Sequence, residues 1–366
     1  MIDVHILSYG LNKGDSRVVL FPITRYMSRL RQKGISCTFY SEMCDEVTDC
    51  NTLIIDHTYY YYKTDEGLSV DEVSRLRHSV DRLLWFDTGD STGGLTAEFL
   101  PVVDGYYKRQ LLSDRSRYLT EMPERQLFEK YYTPNDLTTS EEHTRQVQSK
   151  SDLDKLGIYW NFALSFYYPY MTNQSRFWTG LLSIPGGFHT HIPWERLYRL
   201  PGVWKSPGGH RPIDVTGRFA TEYDGTAVEK HRKLMVDAAG DRLDNQRVSS
   251  FTYWRELRRA KTVLSPFGWG EICHRDLETF MSGSVLIKPE MEHVDTWPPL
   301  YEPGETMLTV DWDMNNLDAT VDSVVNEYET YLDVAENGQQ RYQQYYIGES
   351  AARSFVDRFE QIVTDS

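Results

Sequence analysis

Cysteine is scarce, and its spacing excludes more than its number does. The 366-residue chain has four, Cys37, Cys44, Cys50 and Cys273. No two form a CxxC pair, so neither a zinc site nor a disulfide scaffold is indicated. Positive charge is also in deficit. Lys and Arg total 39 against 54 Asp and Glu, a formal charge of −15, which argues against nonspecific nucleic-acid binding. No apolar run approaches the ~20 residues that span a bilayer. Ile2–Leu7 already reads as a strand with no charged region before it, so no signal peptide is expected. The expectation is a soluble, cytoplasmic protein with reduced thiols. Nucleotide-loop signatures are missing too: Gly10-Leu11-Asn12-Lys13-Gly14 fits neither the Walker A nor the dinucleotide spacing. That speaks against an ATPase or a dehydrogenase.

What is present is an alternation of strands and helices. The first hundred residues read as strands at 3–7, 35–40, 51–56, 82–86 and 102–107, with helices at 21–33 and 70–78 between them. This pattern means an α/β domain with a parallel sheet. At this length two domains are expected, placed at 1–205 and 206–366, with 204–210 (WKSPGGH) as the linker. Residues 113–200 read as an irregular insertion, polar at 133–149 and densely aromatic at 156–170. The aromatic run suits core packing, a domain face or an acceptor site. It lacks the basic face of a membrane anchor, so any membrane contact is at most peripheral. Asn173-Gln174-Ser175 has sequon form and is read as chance in a cytoplasmic chain.

Polar residues gather where the first strands end. Asp56-His57 follows the third, the run from Asp87 to Thr92 the fourth, and Lys108-Arg109 the fifth. All three sets belong on the carboxyl edge of the sheet. Asp87, Asp90 or His57 is positioned to act as a general base toward an acceptor hydroxyl. The alternative for Asp90-Ser91-Thr92 is a cap on a helix expected near Leu95.

The chain is organised around 261–313. Thr262-Val263-Leu264 reads as a strand ended by Ser265-Pro266, followed by a loop with Gly268 and Gly270. A helix is expected from His274 to Met281, stopped by Gly283, with a buried strand at 284–287. Strand, glycine loop, helix, strand is one βαβ unit, whose ligands sit at the helix N-terminus. Leu277, Phe280 and Met281 form its apolar stripe; Arg275 and Glu278 share the opposite face. A first-turn arginine opposes the helix dipole by about 0.3–1 kcal/mol, whereas each charge-assisted hydrogen bond to a phosphate returns about 1.5–3 kcal/mol. The pattern therefore points to a polyanionic ligand, with Glu278 facing sugar or ribose hydroxyls. An intrahelical Arg275–Glu278 pair is the plainer alternative. Asp311-Trp312-Asp313 has the form of a metal-holding DxD triplet but reads better as a helix-entry loop.

The segments RDLETFMSGSVLIKP and PGETMLTVDWDMNNLDATVDSVV resemble the C-terminal domain of GT-B glycosyltransferases, in particular the group 1 and CgeB-like branch. There is some similarity to the CAP10-type O-glucosyltransferases, and the likeness covers about residues 210–345. It implies two Rossmann-like domains facing a cleft, with parallel sheets carrying helices on both faces and a last helix crossing back onto the first domain. It also implies transfer of a sugar from a nucleotide-diphosphate donor to a glycan, lipid-linked or protein hydroxyl, in glycan or polysaccharide synthesis and without a metal cofactor. Donor contacts carry over to Arg275 and Glu278, to Ser265, Gly268, Gly270 and His274 around the loop, and to Arg218 in the Gly217-Arg218 turn. The group 1 pattern usually has two glutamates eight positions apart; here the earlier position is Gly270 with Glu271 adjacent, so Glu271 carries over less safely. A nucleotide-sugar epimerase and a non-catalytic nucleotide-sugar-binding protein are the alternatives on the same fold.

Overall fold

The structure is a computed structural model that describes residues 1–9, 14–63, 68–120, 127, 147–161 and 204–364. The glycine loop at 10–13, most of the polar run at 133–149, the aromatic run beyond Asn161 and the sequon lie outside the described residues.

Strands β1 (Ile2–Leu7), β2 (Ile35–Tyr40), β3 (Thr52–Asp56), β4 (Arg82–Asp87), β5 (Gly105–Lys108), β6 (Gln110–Leu112) and β7 (Leu156–Ile158) come first in the chain. All but β6 form one parallel sheet in the order β2-β1-β3-β4-β5-β7. Strands β8 (Ile213–Thr216), β9 (Ala260–Leu264), β10 (Val285–Pro289), β11 (Val294–Thr296) and β12 (Leu308–Val310) follow. A second parallel sheet runs β12-β10-β9-β8. The central strands are continuous apolar runs because both faces of a parallel sheet are covered by helices. All five residues of β3 and of β10 are buried.

Helix boundaries follow local chemistry. Ser69 and Glu72 form a reciprocal capping box that starts the helix Val70–Ser79. The helix His274–Ser282 ends at Gly283, whose φ of +66° suits glycine, and a Cβ there would lie 2.3 Å from the Lys205 carbonyl oxygen. Several boundaries differ from the sequence expectation, and the strand expected at 102–107 starts only at Gly105 because 97–102 winds into a 3-10 turn. The first helix starts at Gly14 and tolerates Pro22 inside it. The helix expected near Leu95 is a 3-10 turn, Ala97–Val102, that contains Pro101. The amphipathic spacing of 317–332 predicts one helix; instead the helix Leu317–Asn326 stops short and a separate one, Leu332–Tyr346, follows a turn. Gly338 lets that helix lie close on His274–Ser282, since a Cβ would meet the Phe280 ring at 2.8 Å.

The two sheets present their carboxyl edges to each other. Antiparallel pairing of β6 with β11, Gln110 opposite Thr296, ties the strand after β5 to the chain beyond β10. One cluster of buried side chains runs from Val4, Ile6 and Phe86 through Phe267, Leu277 and Leu286 to Tyr342 and Phe355. The final helix, Gly348–Thr364, packs back on the first sheet: Arg82 Nη1 donates to the Ile362 carbonyl at 2.9 Å.

Candidate active site

At the carboxyl edge of the second sheet, the turn after β8 and the helix His274–Ser282 lie side by side. Arg275 is half-buried and stacks over Phe219, its guanidinium carbon 5.0 Å from the ring centre. Its Nη2 donates to the Arg218 carbonyl at 2.9 Å and Nη1 to Ser265 Oγ at 3.4 Å. Among the described residues its guanidinium has no carboxylate partner, and Nε is buried without a hydrogen-bond partner. The intrahelical pair with Glu278 that the spacing allows does not form. Glu278 instead accepts from the Tyr253 hydroxyl at 2.5 Å, and burial raises its pKa.

Arg218, the other cation expected to meet a diphosphate, is placed differently. Its guanidinium forks onto Glu256 at 2.8 and 2.9 Å and pairs with Asp244 at 3.0 Å. Those two carboxylates already neutralise it, so it shapes the turn rather than offering a free charge. Beside it opens a cleft of about 410 Å³ lined by Phe219, Asn245, Arg247, Val248 and Tyr253, with Arg218 at its edge. This volume falls within the range of small-molecule sites. Sequence reading missed Asn245 and Arg247 because the polar stretch before the helix Ser250–Leu257 has no periodicity to mark it. Arg247 is exposed.

The glycine loop is a clamp between the sheets. Ser265 is fully buried, with Oγ bonded to Asp276 Oδ1 at 2.5 Å. Asp276 also accepts from the Cys273 amide at 2.9 Å and the Tyr301 hydroxyl at 3.2 Å, and forms a fully buried ion pair with Lys288 at 3.1 Å. Nothing in the sequence singles out Asp276 or Lys288, since both sit inside apolar stripes. The Gly268 amide donates to the Gly270 carbonyl at 2.9 Å, which removes it as a phosphate donor. A Cβ on Gly270 would lie 2.0 Å from the Asp90 carbonyl oxygen, so this glycine permits contact between the loops after β9 and β4. Glu271 belongs to that contact and not to a ligand: it is buried and accepts from the Thr92 amide at 3.1 Å, Thr92 Oγ1 at 2.5 Å and Gln110 Nε2 at 2.8 Å. With its oxygens so occupied, Glu271 is a clasp. Thr92 is the other half of the clasp, not a helix cap.

Across the cleft, the edge of the first sheet holds the acid–base candidates. Asp87 is buried, with His57 Nδ1 at 3.2 Å, Lys108 Nζ at 3.0 Å and the Tyr106 hydroxyl at 2.5 Å around its carboxylate. Burial opposes its ionisation, but the Lys108 ammonium and the His57 and Tyr106 hydrogen bonds outweigh it and hold the carboxyl well below the usual range. Asp87 is thereby held as a carboxylate hydrogen-bonded to His57. Asp90 is ion-paired to Arg109. His274 faces the same edge, and burial, then the charges of Arg109 and Arg275, push its pKa down to about 4. The Asp313 carboxylate folds back on Asn315. Among the described residues no group of three or more His, Cys, Asp or Glu side chains is arranged to hold a metal ion.

Two parallel α/β sheets clasped edge to edge are the arrangement of the GT-B fold. No protein-family model and no curated protein matches the chain. Among solved structures, Anabaena HepE in complex with UDP and glucose aligns over 100% of both chains, with a TM-score of 0.50 and 7% identity. T4 phage BGT in complex with its UDP-glucose substrate aligns over 99% of this chain and 100% of its own, with a TM-score of 0.44 and 9% identity. At these identities the likeness to HepE is one of fold. No helix among the described residues is long and apolar enough to cross a membrane.

Proposed function

We propose that the protein is a glycosyltransferase that moves a sugar from a nucleoside-diphosphate donor to a hydroxyl acceptor. The observation that carries this reading is Arg275: a half-buried guanidinium with no carboxylate partner among the described residues, at a helix N-terminus and against the Phe219 wall of a 410 Å³ cleft. The cleft takes the nucleoside, with the Phe219 ring and Asn245 in its wall and Arg247 at its mouth. Glu278, one turn beyond Arg275, faces the ribose. The buried Lys288 offsets the Asp276 carboxylate beneath the helix start, which keeps that end favourable to an anion. The support from the neighbours is that HepE, whose fold this chain shares, was solved with UDP and glucose.

In the reaction the acceptor oxygen attacks the anomeric carbon as its bond to the diphosphate breaks. Arg275 and the helix N-terminus stabilise the charge gained by the leaving diphosphate, a preorganised electrostatic effect. His57, held through Nδ1 by Asp87, is the base that accepts the acceptor's proton on Nε2. In this reading the charge is met without a divalent metal. The closer kinship to the group 1 or CgeB-like branch, and a role in glycan or glycoconjugate synthesis, belong to the same proposal and rest on the segment that carries Arg275 and Glu278.

The test is a thermal-shift screen with UDP, GDP, ADP and CMP, followed by donor turnover. One nucleoside diphosphate is expected to raise the melting temperature of the native chain through mass action. The Arg275→Ala protein should lose that shift and about 100-fold or more in transfer while keeping its melting temperature without ligand. Unchanged turnover in the variant removes the arginine from the mechanism, and no shift with any nucleotide removes the enzyme reading.

A further inference from the structure

The helix that carries Arg275 has a second guanidinium on its other side, and it comes from the first sheet. Arg109 follows β5 and lines a cavity of about 20 Å³ with Asn161, Cys273, His274, Leu277 and Val18. That volume holds about one oxygen-sized group. Asn161 is 3% exposed, and among the described residues neither its amide nitrogen nor its amide oxygen has a partner. Arg109 Nε is likewise buried and without a partner among the described residues. Leaving such groups unsatisfied is costly, so the cavity is short of a polar ligand. Among the described residues the anion on Arg109 is Asp90, whose side chain is 43% exposed and therefore free to leave toward solvent.

We infer that Arg109, Asn161 and the helix start at His274 form a second oxyanion subsite, filled by the distal phosphate of a nucleoside diphosphate in exchange for the Asp90 carboxylate. The inference rests on reading the neighbouring cleft as a nucleotide-sugar site. The order along the helix mouth fixes which phosphate is meant. Arg275 touches Phe219 and Arg218, the wall of the nucleoside cleft, and so meets the proximal phosphate. Arg109 lies beyond His274 and meets the distal one. The single-group cavity has no room for a phosphate while Asp90 stays paired, so the carboxylate must yield its place. His274, its pKa lowered to about 4 by burial and then by Arg109 and Arg275, adds no third charge at neutral pH. A donor held in this way is gripped from both sheets at once, which couples its binding to closure of the cleft. The acid that occupies Arg109 in the empty site is a placeholder that keeps a buried guanidinium paired until the diphosphate arrives.

Titration calorimetry on the full chain tests this, with UDP, GDP, ADP or CDP, whichever binds the native protein, and with the corresponding monophosphate. Arg109→Gln is expected to weaken the diphosphate by about tenfold and to leave the monophosphate within about twofold. Asp90→Asn, which keeps the backbone carbonyl and removes the competing charge, is expected to tighten the diphosphate by about threefold. Equal weakening of mono- and diphosphate in Arg109→Gln overturns the subsite, as does unchanged or weaker diphosphate binding in Asp90→Asn. Absence of binding by any of the four to the native protein overturns the nucleotide-sugar reading itself, and this inference with it.

Discussion

At the residue scale one of the largest pKa shifts falls on a buried histidine that lines neither cleft. His231 is fully buried, lies parallel to Phe267 with 5.2 Å between ring centres, and sits beside Lys288 and Arg232. Burial, then those two charges, push its pKa down from 6.5 to about 3. A histidine whose folded pKa lies below its unfolded one contributes nothing at neutral pH. As pH falls below 6.5 the unfolded chain takes up a proton that the folded chain refuses, so stability is lost progressively down to pH 3. At pH 5 the gap amounts to about 2 kcal/mol, at about 1.4 kcal/mol per unit. Urea denaturation at pH 7 and pH 5 should show His231→Gln losing about 2 kcal/mol less than the native chain over that interval. Parallel losses in the two proteins would place the titration elsewhere. Asp87, depressed by Lys108, His57 and Tyr106, adds a loss of the same sign at lower pH.

At the scale of the element, the glycine loop after β9 and the loop after β4 act as one piece. Thr92 and Glu271 are 179 residues apart in sequence, and Gln110 bridges the Asp90 carbonyl and Glu271. Gly270→Ala would thrust a methyl group into the Asp90 carbonyl, and backbone cannot swing aside as a side chain does. A destabilisation of about 1–3 kcal/mol is expected, measured as a lowered urea midpoint. A variant as stable as the native protein would mean that these loops do not touch. The strand–helix–strand unit around Arg275 is legible in the sequence because its signals are local: an apolar stripe at helical spacing, a glycine stop, a continuous buried strand. The clasp is not legible. Asp90-Ser91-Thr92 has the composition of a helix cap, and only tertiary contact reveals that its partner is Glu271. Arg218 misleads for the same reason, since Asp244 and Glu256, which neutralise it, lie 26 and 38 residues on. Of the acid–base candidates, His57 and Asp87 both stand out in the sequence, but the proposed division into base and orienting carboxylate draws on Lys108, one strand over.

At the scale of the whole molecule the question is whether the two sheets behave as independent bodies. The last two helices argue that they do not. The helix Leu332–Tyr346 lies on His274–Ser282, where Gln339 Nε2 donates to the Phe280 carbonyl at 2.9 Å. Its own C-terminal carbonyl, at Tyr346, accepts from Arg25 of the first helix at 2.8 Å. The helix Gly348–Thr364 then places Phe355 against Trp160 and Tyr26, with ring centres at 4.9 and 5.4 Å. One buried cluster thus carries side chains from both sheets, and removing a ring from its middle is felt on both sides. Phe355→Ala is expected to cost about 3–5 kcal/mol. Because the cluster is shared, tryptophan fluorescence and far-UV circular dichroism should report one coincident urea transition in the variant as in the native chain. Two separated midpoints would show instead that the terminal helix merely rests on the first sheet, and that closure over a bound donor is a motion of independent halves.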